Sequence, residues 1–137
     1  MDRIAKPVIA VVDDDLRVRE SLASLIESAG FEARVFPLAK EFLQENFLAG
    51  TSCLITDVRM PEMDGLDLQR RVRLERPDLP VIFITGHDND EVERCAFAQG
   101  AAFFIRKPFD AEELLRAVKI ALSEASGTTA HNVFRRR

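Results

Sequence analysis

Tryptophan and tyrosine are absent from this 137-residue chain, and ten phenylalanines carry all of its aromatic packing. No aromatic side chain here has a hydroxyl or an indole N–H to offer. Only two cysteines occur. Cys53 falls in an apolar strand pattern and Cys95 on an apolar helix face. Both read as small buried hydrophobes and not as a disulfide or metal pair. No apolar run reaches the roughly 18 residues that a membrane span needs, and the start, Met1-Asp2-Arg3-Ile4-Ala5-Lys6-Pro7, lacks the apolar core of a signal peptide. A cytoplasmic chain without membrane contact is expected. The net charge of −4 excludes the global basic footprint of a nucleic-acid binder. Neither a G-x-G-x-x-G nor a Walker sequence is present, which argues against a bound nucleotide. What is left is an ordinary globular composition, 47% hydrophobic and 31% charged, at a length that suits one domain.

Five short apolar runs alternate with five helical patterns. Val8 to Val12 is rich in β-branched residues and reads as a strand covered on both faces. A helix over Arg17 to Ala29 follows, with Asp15 as N-cap and Gly30 as stop. Phe31 to Phe36 reads as an edge strand, Glu32 and Arg34 alternating against Ala33 and Val35. A short helix runs from Leu38 to Leu48 with Phe42, Leu43 and Phe47 inward. Cys53 to Thr56 is the third strand, and Leu66 to Glu75 the next helix, its apolar face made by Leu66, Leu68, Val72 and Leu74. Val81 to Ile84 is the fourth strand. Asn89 to Gln99 is a helix that opens on acids, which suit a helix N-terminus. Ala101 to Ile105 is the fifth strand. Asp110 and Glu113 form a capping box for a last helix to Glu124. Strict strand–helix alternation predicts a parallel sheet with helices on both faces, a three-layer α-β-α fold. Ligands in such sheets sit beyond the strands' C-terminal ends.

The polar residues at those ends are an unusual set. Asp13, Asp14 and Asp15 follow the first strand, Asp57 the third, Thr85 the fourth and Lys107 the fifth. Any one alone reads as a turn residue, a helix cap or a surface charge. Together they converge on one rim. Crowded carboxylates resist ionising together, and a hard cation such as Mg²⁺ removes that penalty with carboxylate oxygens, water and phosphate as ligands. Asp13, Asp14 and Asp57 are the candidate ligands, with the backbone carbonyl of Arg59 within reach. Asp57 is then a candidate nucleophile for a phosphoryl group, with Lys107 and Thr85 to meet the phosphoryl oxygens.

The set Asp13-Asp14, Asp57 with Met60-Pro61 and Gly65 after it, Thr85-Gly86, and Lys107-Pro108-Phe109 resembles the receiver domain of two-component response regulators. The likeness covers roughly Pro7 to Ala125, leaving residues 126–137 as a linker or tail. It implies a flavodoxin-like sheet in the order 2-1-3-4-5 with five helices. It implies that Asp57 takes its phosphoryl group from a sensor histidine kinase, with Mg²⁺ at Asp13, Asp14, Asp57 and the Arg59 carbonyl. It implies that Thr85 and Phe104 rearrange together on phosphorylation, Phe104 turning inward, and that the Lys107–Pro108 peptide is cis. Ile84 to His87 and Phe103 to Phe109 look closest to FixJ-type receivers, which usually drive a helix-turn-helix output. Phe104 stands where a tyrosine is often found, so only a packing switch is left. Arg59 and His87 occupy positions that tune phosphoryl lifetime in the family; by itself His87 reads as a loop residue.

The reading is therefore of a phosphorylation switch and not of an enzyme turning over substrates. Helix 4, strand 5 and helix 5 form the surface expected to change, and Asp90, Glu91 and Glu93 facing Arg116 and Lys119 could support a homodimer. A second reading is a Mg²⁺-dependent phosphatase of the haloacid-dehalogenase type with Asp13 as nucleophile, since Asp13-x-Asp15 has its spacing. A third is a scaffold that has lost its acidic rim, but no loss is found. The tail, ending in Arg135-Arg136-Arg137, is too short for a DNA-binding domain. No direct nucleic-acid binding by this chain is expected; it reads either as a stand-alone receiver or as the receiver piece of a longer transcription regulator, and the FixJ likeness favours the second.

Overall fold

Five runs of four or five residues become strands: β1 (Val8–Val12), β2 (Glu32–Phe36), β3 (Cys53–Asp57), β4 (Val81–Thr85) and β5 (Phe103–Arg106). They alternate with α1 (Leu16–Ser28), α2 (Ala39–Gln44), α3 (Gly65–Glu75), α4 (Asp90–Ala98) and α5 (Ala111–Ala125). The computed structural model describes residues 6–44, 46–86 and 90–125. His87 and the tail with Arg135 to Arg137 lie outside the described residues. All pairings are parallel and the sheet order is β2-β1-β3-β4-β5. Among the described residues no helix is long and apolar enough to cross a membrane.

Alternation along the strands builds two cores. Ala10, Val12, Leu54, Phe83 and Phe104 face α2, α3 and α4, packing with Phe42, Leu68, Val72 and Ala96. Ile9, Val11, Ile55, Ile82, Ile84 and Ile105 face the other way and meet Leu22 and Ile26 of α1 and Leu114 and Val118 of α5. Strands clad on both faces are why their sequences read as continuous apolar runs.

Several local expectations shift. β2 is an edge strand, but Val35 is exposed on it and Phe36 is the buried residue; Phe36 packs against Phe42 and Phe47 at ring-centroid distances of 5.4 and 5.0 Å. The expected helix from Leu38 to Leu48 is broken. Asn46 takes a left-handed φ of 58°, which asparagine tolerates, and the chain resumes as a 3₁₀ turn at Leu48–Gly50. Leu74 is 81% exposed, while Gln69 of the same helix is fully buried. β5 begins two residues late. Gly100, at φ 101°, closes α4, and the Ala101 amide is spent on the Ala96 carbonyl at 2.9 Å. Asp15 caps α1 as expected, accepting from the Arg17 amide at 2.9 Å. Asp110 accepts from the Glu112 amide at 3.4 Å at the start of α5.

Candidate functional site

The strand ends converge. Asp57 is the last residue of β3 and Thr85 the last of β4; Asp13 and Lys107 each stand one residue past β1 and β5. The ladders carry on beyond the strands: the Asp13 amide donates to Phe36 O at 3.1 Å, and the Lys107 amide to Thr85 O at 2.7 Å. Backbone pairing thus fixes where these side chains start, and little of their placement is left to loops.

Lys107 Nζ lies 3.2 Å from Asp57 Oδ2 and 3.3 Å from Asp13 Oδ2. The other oxygens are held by backbone. Asp57 Oδ1 accepts from the Val58 amide at 2.6 Å, and Asp13 Oδ1 from the Asp15 amide at 2.9 Å. Asp13 is fully buried, Asp57 and Thr85 nearly so, and Asp14 faces solvent. Burial pushes the Asp13 carboxyl above the usual carboxylate range, and the charge of Asp57 adds to that, against the pull of the Asp15 amide and Lys107. Burial alone would lower the Lys107 ammonium, but Asp57 and Asp13 outweigh it and hold it above the ordinary lysine value.

Asp13, Asp14 and Asp57 each offer a carboxylate oxygen, and these oxygens lie within 4.8 Å of one another. The set is all hard oxygen, already strained by its own charge at Asp13, and it fits a divalent cation of the Mg²⁺ kind. Arg59 stands in the exposed turn two residues beyond Asp57. That turn is tight. The Met63 amide donates to Pro61 O at 2.8 Å, around Glu62 at φ 71°. The Gly65 amide returns to Val58 O at 2.8 Å, and a Cβ on Gly65 would stand 2.2 Å from Asp57 O. Only glycine lets α3 start this close to the acid. The Lys107–Pro108 peptide is cis.

A receiver-domain family model, described as the response regulator receiver domain, matches residues 9–119. The chain belongs to that family. The receiver is 44% identical over 118 residues to the response regulator protein TodT of Pseudomonas putida, covering 86% of this chain and 52% of that protein. It is 37% identical over 119 residues to the transcriptional regulatory protein FixJ of Bradyrhizobium diazoefficiens, covering 85% of this chain and 57% of FixJ. A solved receiver domain from Clostridium thermocellum superposes with a TM-score of 0.83 at 28% identity, covering 90% of this chain and 99% of that one. The receiver spans about half the length of the curated relatives it matches. The FixJ likeness and the sheet order implied by the motifs both hold.

The family lends no support to the phosphatase reading, and the geometry runs against it. Both oxygens of Asp13 are engaged and buried, and Asp15 is turned outward to cap α1. Phe104 corrects one expectation. Its ring is already inside, 4% exposed, with centroids 6.0 Å from Phe83 and 6.5 Å from Phe97. A phenyl ring has no hydroxyl to keep at the surface, so burial is its preferred state. Arg76, Gln69 and Arg106 escaped the sequence reading. Each is a polar side chain whose partner comes from a distant element, and no local pattern marks it.

Proposed function

We propose that the receiver is a phosphorylation switch in which Asp57 accepts a phosphoryl group from the phosphohistidine of a sensor histidine kinase. The observation that carries this is Lys107 Nζ lying within 3.3 Å of both Asp57 and Asp13 at the sheet's C-terminal edge, beside a carboxylate cluster. Asp57 Oδ2 points to Lys107, while Oδ1 is steadied by the Val58 amide. Attack of an Asp57 oxygen on phosphorus forms the aspartyl phosphate as the P–N bond to the kinase histidine breaks; its electron pair stays on that ring nitrogen, and with the proton carried on the other ring nitrogen the histidine leaves as neutral imidazole. Lys107 meets the charge of the transferred group, and the Thr85 hydroxyl donates to one of its oxygens. Asp13, Asp14 and Asp57, with the Arg59 carbonyl, would hold Mg²⁺, which supplies positive charge against carboxylates and phosphoryl oxygens together.

In this reading the chemistry is confined to self-phosphorylation, in the cytoplasm, by a domain spanning residues 7–125 with a linker after it. Thr85 and Phe104 transmit the new charge to the face built by α4, β5 and α5. The output is control of transcription, as the names of its relatives suggest, with a phosphorylation-dependent homodimer through that face. A monomer by sedimentation in beryllofluoride and Mg²⁺ would remove the dimer.

Intact mass after incubation with acetyl phosphate and Mg²⁺ tests the chemistry. One added phosphoryl group is expected, and none in Asp57→Asn. Label that persists in Asp57→Asn sinks the assignment.

A further inference from the structure

Besides the core packing of Val92, Ala96 and Phe97, two different polar devices stand out among the described residues, one toward each end of helix α4. At its start, Arg106 of β5 reaches across to Glu93 at 2.6 Å and to Asp90 at 3.4 Å. The same guanidinium lies 5.6 Å from the centre of the Phe104 ring. Glu93 is only 13% exposed and Arg106 35%, so solvent screens this pair less than an open surface pair. Arg106 is also the ladder partner of Thr85, as Phe104 is of Phe83. One residue therefore links the strand that carries Thr85, the ring of Phe104 and the first turn of α4.

At the far end the ties run mostly through neutral amides centred on a buried side chain, with Arg70 Nη1 adding a surface bond to Gln99 Oε1 at 3.4 Å. Gln69 of α3 is fully buried, and its amide nitrogen donates to Ala96 O at 3.1 Å. Its amide oxygen accepts from Gln99 Nε2 at 3.2 Å. Breaking these bonds strands polar atoms in the core, which is costly. Breaking the Arg106 pairs exposes charges that water can take up.

We propose that Arg106 is a catch that holds the start of α4 on β5 in the resting receiver, and that Gln69 is the pivot about which α4 swings when the catch opens. This deepens the switch reading and rests on it: the charge written on Asp57 is read where Thr85 meets Arg106. A catch that stabilises the resting form opposes activation, so loosening it favours whatever binds the active form.

The test uses the whole chain with beryllofluoride and Mg²⁺ as the probe of the phosphorylated state. Affinity is measured by calorimetry, and amide hydrogen exchange at Arg94 and Cys95, whose bonds close the first turn, is compared with that at Gln99. The two arms are Glu93→Gln and Arg106→Gln. Through-space charge alone would send them in opposite directions, because one removes a negative and the other a positive charge near an anion. The catch predicts that both bind roughly fivefold more tightly. It also predicts faster exchange at Arg94 and Cys95 with Gln99 unchanged, and return toward wild type in the swap Glu93→Arg with Arg106→Glu. Affinities that move in opposite directions, or stay put, overturn the proposal. If the wild-type chain binds no beryllofluoride, the reading of Asp57 has failed. Exchange then decides: faster first-turn exchange in both variants keeps the catch, and unchanged exchange overturns it.

Discussion

A single methyl group at residue 65 is enough to disturb the site. Its carbon would stand 2.2 Å from Asp57 O and 3.0 Å from the Phe83 ring, and a backbone oxygen cannot step aside as a side-chain tip can. Gly65→Ala is expected to lower stability by roughly 1–3 kcal/mol, the cost of overpacking, read from the urea midpoint, and to slow phosphoryl uptake by displacing Asp57. A midpoint equal to wild type would show that α3 can yield. Cys53 makes a different prediction. Full burial pushes its thiol from 9.0 up to about 12. Below pH 9.0 the thiol is neutral in both folded and unfolded chains and contributes no slope. Between 9.0 and about 12 only the unfolded chain loses the proton, so this residue lowers stability by about 1.4 kcal/mol per pH unit. Urea titrations across that range should show a shallower decline in Cys53→Ala, although its neutral-pH stability is lower. An identical alkaline slope would mean that the thiol is not kept from water. Residues such as Asp57, Thr85 and Lys107 were legible because each sits at the end of an apolar run, where the chain pattern itself fixes the address. Gln69 and Arg106 were not, since a polar residue in a helix or at a strand end looks solvated until the opposing element is known.

Among the elements, α3 shows where periodicity informs and where it misleads. Gly65, Leu68, Gln69 and Val72 are its buried positions, spaced as one helix face requires. Leu74 lies two positions past Val72, about 200° around the helix at 3.6 residues per turn, and so faces water. Reading apolar residues as inward put Leu74 on the wrong side and missed Gln69. The edge strand misled for the same reason: Val35 alternates correctly with Arg34, but at the edge β1 is the only neighbouring strand, and the side chain stays exposed. After α3, one arginine ties two connections together. Arg76 Nη1 donates to Leu48 O at 2.8 Å, Thr51 O at 3.2 Å and Ala49 O at 3.3 Å, carbonyls of the 3₁₀ turn and of the residue after it on the way into β3. The fork also meets Asp78. Lysine has a point charge and cannot fan across these partners. Arg76→Ala should cost about 1–2 kcal/mol, the scale of hydrogen bonds to a charged donor, and Arg76→Lys should recover less than half of it. Complete recovery by lysine, in the same urea assay, would show that charge alone holds the turn.

For the molecule as a whole, strand–helix alternation implies the parallel sheet and the receiver likeness implies its order, β2-β1-β3-β4-β5, and that order brings the β1, β3 and β5 ends within reach of one ammonium. That convergence leaves the rim with more negative than positive charge. Asp13, Asp14 and Asp57 come within 4.8 Å of one another, and the carboxyl of Asp13 is already pushed upward by burial and by Asp57. A cation bound there stabilises the folded state and has no equivalent site in the unfolded chain, so linkage gives the size of the effect: at ten times its dissociation constant, Mg²⁺ adds about 1.4 kcal/mol. For a domain of this size that is a rise of roughly 4–6 °C in Tm, reversed by a chelator. The contribution of each acid differs by its burial. Asp14 faces solvent, so Asp14→Asn should fold as well as wild type without Mg²⁺, or slightly better through relief of repulsion, and yet show a much smaller Mg²⁺ gain. Asp57→Asn should also lose most of the gain. If both variants keep the full Mg²⁺ response, the ion acts elsewhere and the carboxylate cluster is not its site. If both lose it while the wild type gains, the cation, the nucleophile and the ammonium share one pocket at the end of the sheet.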